Sequence, residues 1–333
     1  MHSVVLEIQD LTTTFQTSAG HFRAVEDISF AIEPGQVFAL VGESGCGKTV
    51  TALSIMRLLG PATDIKGKVL LEGTNLLLLS DRDMQGVRGK QISMIFQNPL
   101  NALNPALRIG DQIAEVIRAH GDRETQAIRR RSLLRTEDRA SKVWEQVVEL
   151  LRRVRIPAPE ESAERWPHEL SGGMRQRSAI AMALACSPKV IIADEPTTAL
   201  DVTVQRQIVL LLEDVRRTRD VGILLISHDI ALVAEFAHRA AVMYAGQVIE
   251  CADVEQLLSS SLHQYTQALL ACVPTLDERR PLESIPGSVP TLYDTIVGCR
   301  FRNRCLISEQ QCAETMPRLC EIEEGHWVRC HLI

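Results

Sequence analysis

"QVFALVGESGCGKTVTALSIMRLL", residues 36–59, decides the fold. Val37–Val41 is a short apolar run of the kind found in a strand buried on both faces. After Thr49 the apolar residues recur with helical spacing. The eight residues between, "GESGCGKT" at 42–49, match G-x-x-x-x-G-K-[ST] where that pattern must sit, between a buried strand and a helix. Glycine lets the backbone wrap so that its N–H groups face phosphate oxygens, and the helix N-terminus adds positive potential. Gly42, Glu43, Ser44, Gly45, Cys46, Gly47, Lys48 and Thr49 are thus candidate nucleotide-binding residues. Lys48 supplies a cation for the β and γ phosphates, and the Thr49 hydroxyl can ligate Mg²⁺. The bland alternative, a glycine-rich turn that happens to precede Lys-Thr, does not account for the flanking strand and helix.

Two more buried-strand signals follow, "KVIIADEP" at 189–196 and "GILLISHD" at 222–229, with helical patterns such as "VTVQRQIVLLLEDVRR" between them. Strands alternating with helices predict an α/β fold, a mostly parallel sheet covered by helices. The opening segments, "VVLEIQDLTTTF" and "HFRAVEDISFAIEPG", alternate apolar and polar residues and predict an antiparallel subsheet. From about 111 to 153 the chain predicts helix, interrupted by a highly charged stretch at 122–142 that a solvated helix-loop-helix explains. "VPTLDERRPLESIPGSVP", 273–290, holds four prolines and predicts a linker.

Asp194 and Glu195 end the second strand. Asp194 is placed to hold the Mg²⁺ shell, and Glu195 to orient or deprotonate an attacking water. Adjacent acids at a strand end cost desolvation unless a cation or substrate uses them. "LSGGMRQR", 170–177, puts Ser171, Gly172 and Gly173 before a helix, a second anion site in the same chain.

At this point the sequence resembles the ATP-binding subunits of ABC transporters. The resemblance implies that the Ser171-Gly172-Gly173 loop covers ATP held on another subunit's phosphate-binding loop. It makes Gln97 in "MIFQNP" the Q-loop residue and a Mg²⁺ ligand, "TALD" with Asp201 the D-loop, and His228 in "LLISHD" the switch histidine. The family stacks adenine on an aromatic near the N-terminus. Phe22 is the preferred candidate, Phe15 is also available, and plain hairpin packing explains either. "VGESGCGKT", "MIFQNPLNALNP", "PHELSGGMRQR", "ADEPTTALDVTVQ" and "SLHQYTQALLACVP" together resemble the peptide, oligopeptide and nickel importer group, as does "IPGSVP" before "GCRFRNRC". The resemblance implies an ATPase domain over 1–262, a helical subdomain at about 98–186, and a C-terminal extension over 263–333. It also implies a second, identical or homologous ATPase subunit, two membrane permease subunits, and indirectly a solute-binding protein. The expected place is peripheral, on the cytoplasmic face of the inner membrane, and the cargo is a di- or oligopeptide, with nickel or glutathione as alternatives.

Composition agrees with part of this. The 333 residues are 45% hydrophobic and 23% charged, ordinary for a globular chain. A net charge of −6 argues against a nucleic-acid surface. No run of about 18 apolar residues is present to span a membrane, and "MHSVVLEIQD" lacks a signal pattern, so a cytosolic location is expected. Two rival classes exist. A soluble ABC ATPase of ribosomes or DNA usually has two ATPase halves or a long coiled-coil insertion. A metalloprotein with an ancillary ATPase does not need the full motif set.

Five of nine cysteines lie in 298–333. Cys299, Cys305, Cys312 and Cys330 form C-x5-C-x6-C-x17-C, without the close pairs of structural zinc sites. Four thiolates can hold a 4Fe-4S cluster at loose spacing, and members of the resembled group carry one. Zinc, with His326 or His331 as further ligands, and plain packed thiols remain open. Cys320 stands outside the series.

Overall fold

The alternation at the N-terminus becomes a four-stranded antiparallel sheet in the order Gly20–Ile32, Leu6–Thr17, Thr63–Leu71, Thr74–Asn75. Buried positions run Leu6, Ile8, then Leu11, Thr13. The slipped step is a bulge: the register to both neighbours shifts after Ile8 and Gln9, and Asp10 takes a left-handed φ of 50°. Opposite it Gly67 has a φ of 99°, and a Cβ there would lie 2.5 Å from the carbonyls of Gln9 and Asp10. Only glycine fits that approach.

This computed structural model describes residues 4–18, 20–121, 142–198, 200–272, 285–290 and 296–333. The charged stretch 122–141, linker residues 273–284 and Ala199 of "TALD" lie outside the described residues. The chain divides into two units, 1–78 with 224–333, and 79–223.

In the first unit a second sheet is built on Val37–Val41, all five residues buried. Val37–Val41 runs parallel to Arg239–Tyr244, with Phe38 opposite Arg239 and Val41 opposite Val242. Arg239–Tyr244 turns through Ala245 and Gly246, both with positive φ, into antiparallel Gln247–Asp253. The next strands outward are His326–Val328 and Cys320–Glu323, both from the cysteine-rich region. That region packs on an aromatic cluster of Tyr244, Tyr265 and Phe301, joined by Ile285, Val289, Cys299 and Cys305. Tyr244 meets Phe301 edge-on at 5.2 Å and Tyr265 at 4.7 Å. Beneath them Glu250, fully buried, accepts from the backbone N–H groups of Leu262 and His263 and pairs with His326 at 2.8 Å.

In the second unit Ile92–Ile95 and Val190–Asp194 pair in parallel. Helices Ile109–His120, Lys142–Arg153, Pro159–Ala163 and Gly172–Leu184 pack together. Ile109, Ile113 and Ile117 bury one stripe, and Val147, Leu151 and Val154 bury another, both at helical spacing. The helices approach closely at Gly110, where a Cβ would lie 2.4 Å from the Trp144 ring. Parallel strand pairs with helices, and a separate antiparallel sheet, are the α/β architecture expected from the sequence.

Candidate functional site

Strand Val37–Val41 delivers the chain into the phosphate-binding loop, and helix Lys48–Ile55 takes it out. Gly42 has no room for a side chain, since a Cβ would sit 2.3 Å from the Met243 carbonyl. Gly47 has a φ of 106° and faces the Ala24 carbonyl at 2.8 Å from its would-be Cβ. Lys48 is buried and donates to the carbonyls of Gly42 at 2.7 Å and Glu43 at 3.0 Å. Cys46, also buried, lies 3.7 Å from that ammonium, yet burial pushes its thiol pKa up despite the lysine. Ser44, Gly45 and Thr49 are exposed.

A cavity of about 1520 Å³ opens beside the loop. Its walls include Ser44, Gly45, Phe22, Arg23, Gly246 and Arg300. Phe15 and Phe22 are cross-strand partners, stacked at 5.2 Å and 20°. Phe22 lines the cavity, and Phe15 stacks on it. His228 follows strand Gly222–Ser227, and its neighbour Asp229 caps helix Ile230–Phe236 through the N–H groups of Ala231 and Leu232.

In the second unit Asp194 is buried at the end of its strand. Glu195 follows in left-handed backbone, φ 46°. Its Oε2 accepts from Gln97 Nε2 at 2.7 Å and from Thr198 Oγ1 at 2.9 Å. Sequence reading assigned Gln97 and Glu195 separately, and the structure brings them into direct contact. Thr198 is part of the same group, and nothing local in the sequence marked it for this bond. Asp201 caps helix Val202–Arg219 by accepting from Val204 N–H at 2.9 Å. Ser171 caps Gly172–Leu184, accepting from Met174 N–H at 3.3 Å. A Cβ on Gly173 would lie 2.9 Å from Val204 Cγ1.

Cys299, Cys305, Cys312 and Cys330 all line one small cavity, together with Phe301 and His331. Burial, and then the charge of the neighbouring thiols, pushes Cys299 and Cys305 up. Cys330 Sγ accepts from Leu332 N–H at 3.4 Å, and Cys299 N–H donates to the Cys312 carbonyl at 2.7 Å. Among the described residues no group of three or more His, Cys, Asp or Glu side chains is gathered closely enough to hold a metal ion. Cys320 is exposed on its edge strand, outside the cavity, and His326 is bonded to Glu250.

Two residues not singled out by sequence touch the phosphate-binding loop from the C-terminal region. Tyr265 Oη accepts from Glu43 N–H at 3.0 Å, and Arg304 holds both Glu43 carboxylate oxygens at 3.0 Å.

The sequence profile of the ABC transporter family matches residues 25–198. The profile of the oligopeptide/dipeptide transporter C-terminal region matches residues 249–312. Over 333 residues the chain is 45% identical to the probable peptide ABC transporter ATP-binding protein y4tR of Sinorhizobium fredii, covering 98% of this chain and 94% of that one. It is 42% identical to the oligopeptide transport ATP-binding protein OppD of Bacillus subtilis, covering 99% of this chain and 89% of that one. It is 43% identical to the dipeptide transport ATP-binding protein DppD of the same organism, covering 98% and 94%. Among solved structures it resembles dimeric MJ0796, a bacterial ABC transporter cassette, with a TM-score of 0.63 and 25% identity over 75% of this chain and 98% of that one. The same cassette bound to ADP and Pi matches equally, with a TM-score of 0.63. With the phosphate-binding loop, the paired Gln97 and Glu195 and the capped Ser171 loop in place, these matches settle the family: the chain is an ABC transporter ATPase, of the branch that carries the oligopeptide/dipeptide transporter C-terminal region.

Proposed function

We propose that this chain binds and hydrolyses ATP to power import of di- or oligopeptides. The observation that carries the reading is the joint match of one chain to the ATPase profile over 25–198 and to the oligopeptide/dipeptide transporter region over 249–312. The phosphates of ATP lie on the N–H groups of 42–49, and Lys48 swings from its present carbonyl partners onto them. Phe22 supports the adenine. Mg²⁺, held by Thr49, Gln97 and the buried carboxylate of Asp194, would neutralise phosphate charge. Glu195, oriented by Gln97 and Thr198, polarises the attacking water, and His228 faces the γ-phosphate. Ser171, Gly172, Gly173 and Asp201 serve the nucleotide of a second ATPase subunit. Two such subunits close on two nucleotides and pull on two permease subunits at the inner membrane's cytoplasmic face, where the chain sits peripherally. No helix among the described residues is long and apolar enough to cross a membrane. A solute-binding protein selects the cargo, and no nucleic acid takes part.

Uptake of labelled dipeptide by cells lacking this gene tests the cargo. Loss of uptake, restored by the intact chain and not by Glu195→Gln, is expected. Normal peptide uptake with failing nickel or glutathione uptake would move the cargo to those solutes.

The thiol set carries a second proposal, a structural 4Fe-4S cluster on Cys299, Cys305, Cys312 and Cys330. It is supported by the convergence of four thiols on one cavity and by the amide N–H directed at Cys330 Sγ. Against it, the described side chains are not drawn into a coordinating group. When bound, the cluster would cross-link a region that buries little apolar surface. Anaerobic purification decides: about four irons per chain and a brown colour, bleached by Ser at any of the four and spared by Cys320→Ser, is expected. Stoichiometric zinc, or four freely titrating thiols, overturns it.

A further inference from the structure

Glu43 is an anion inside a loop built to receive a polyanion. Its carboxylate does not stand alone: Arg304 Nη1 and Nη2 each donate to it at 3.0 Å. The Arg304 side chain is 5% exposed and Glu43 27%. Arg304 is itself fixed by bonds to the Pro286 and Ile285 carbonyls and by the Tyr244 ring, 5.7 Å from its guanidinium carbon. The backbone of Glu43 is held on both sides, its N–H by Tyr265 and its carbonyl by Lys48. Arg304 adjoins Cys305, whose thiol lines the four-cysteine cavity. Three bases run from that region into the ATPase fold, since Arg300 pairs with Glu26 and with the Ala245 carbonyl, and Arg329 pairs with Asp27; of the three, Arg304 is the one that reaches the phosphate-binding loop.

We propose that Arg304 is a positioning residue of the nucleotide site: it neutralises and holds Glu43, so that ATP affinity depends on the C-terminal region being docked. The proposal rests on the ATPase reading above. A bidentate guanidinium–carboxylate pair balances the charge and fixes the carboxylate's orientation. Without Arg304 the carboxylate is an unpaired anion on the residue whose carbonyl Lys48 holds, and it opposes the triphosphate.

The test is the affinity of the full-length chain for a non-hydrolysable ATP analogue with Mg²⁺, by calorimetry, beside the thermal midpoint. Arg304→Gln is expected to weaken binding about tenfold, the size of one charge–charge interaction near a protein surface. The double variant Glu43→Gln, Arg304→Gln is expected to bind within about threefold of wild type, because both charges are then gone. A purely structural role for Arg304 predicts that the double variant binds as weakly as Arg304→Gln, and that result overturns the proposal. Glu43→Gln alone leaves every Arg304 contact to the C-terminal region in place. It is expected to tighten ATP binding, since Arg304 then adds an uncompensated positive charge. A tenfold loss there overturns the proposal even if Arg304→Gln does not fold. In the assembled transporter Arg304→Gln should raise KM for ATP and spare kcat. If Lys48→Ala weakens binding while Arg304→Gln does not, only this proposal fails. If wild type does not bind ATP, the ATPase reading fails with it.

Discussion

Glu195 shows how much one position carries. Its left-handed backbone costs a non-glycine residue about 1–2 kcal/mol, and such cost persists where neighbours over-determine it. Here the neighbours are Gln97 and Thr198, both donating to one carboxylate oxygen. Glu195→Gln keeps the shape and the acceptor oxygen and loses the charge proposed to polarise water. ATP hydrolysis by the assembled transporter is expected to fall about 10²- to 10⁴-fold with ATP binding retained; turnover near wild type would remove Glu195 from the mechanism. Lys48→Ala is expected to do the reverse, weakening ATP binding at least about tenfold because the phosphates lose their nearest cation. Equilibrium binding of a fluorescent ATP analogue checks it, and unchanged affinity would count against the loop as the phosphate site.

At the scale of an element, helix Gly172–Leu184 begins on a cap and a tight contact. Ser171 satisfies one of the free N–H groups at its start, worth about 1 kcal/mol. Gly173 lets it approach helix Val202–Arg219 at Val204. Gly173→Ala gains about 1 kcal/mol of helix propensity but overpacks against Val204, at about 1–3 kcal/mol. A lower denaturation midpoint is therefore expected, and in a Val204→Ala background the same change should become neutral or stabilising. Ser171→Arg is expected to leave ATP binding to the chain's own loop near normal and to abolish transport, because in the proposed subunit pair a bulky cation would fill the helix start assigned to the partner's γ-phosphate. Surviving transport would mean that this loop serves no productive site.

At the scale of the whole molecule, the C-terminal region is built into the first unit through Phe301, Tyr265 and the buried Glu250. His263 lies at that seam. Its Nδ1 accepts from Tyr265 N–H at 3.0 Å, its ring meets Phe301 at 5.7 Å, and burial lowers its pKa to about 4. The folded state therefore takes up this proton later than the unfolded chain, whose histidine titrates near 6.5. The contribution is complete above pH 6.5 and is lost as pH falls toward 4, by up to about 3 kcal/mol. Urea unfolding midpoints measured from pH 7.5 to 4.5 should fall. His263→Asn keeps a cap acceptor and removes the titration, so its profile should be flatter across that window. Parallel profiles would show that His263 does not titrate with folding.

What the sequence determined by itself was what a local period can encode. A five-residue apolar run before "GESGCGKT" sufficed to place a buried strand, a turn of special backbone and a helix. Alternation in the opening segments sufficed for the antiparallel sheet, though not for its bulge at 9–10, which no residue type at Gln9 or Asp10 announces. The acids after "VIIA" and the Ser-Gly-Gly loop were legible because desolvation and helix ends restrict what those residues can do. Tertiary structure alone decided which of them meet. Gln97 and Glu195 are 98 positions apart, and Glu43 and Arg304 are 261 apart. Side chains so distant carry no shared period, so only the folded chain could show that a charge in the phosphate-binding loop is balanced from the far end of the sequence. Likewise the cysteine spacing set Cys299, Cys305, Cys312 and Cys330 apart as a series with Cys320 outside it, and only the fold put those four around one cavity and Cys320 on an exposed edge.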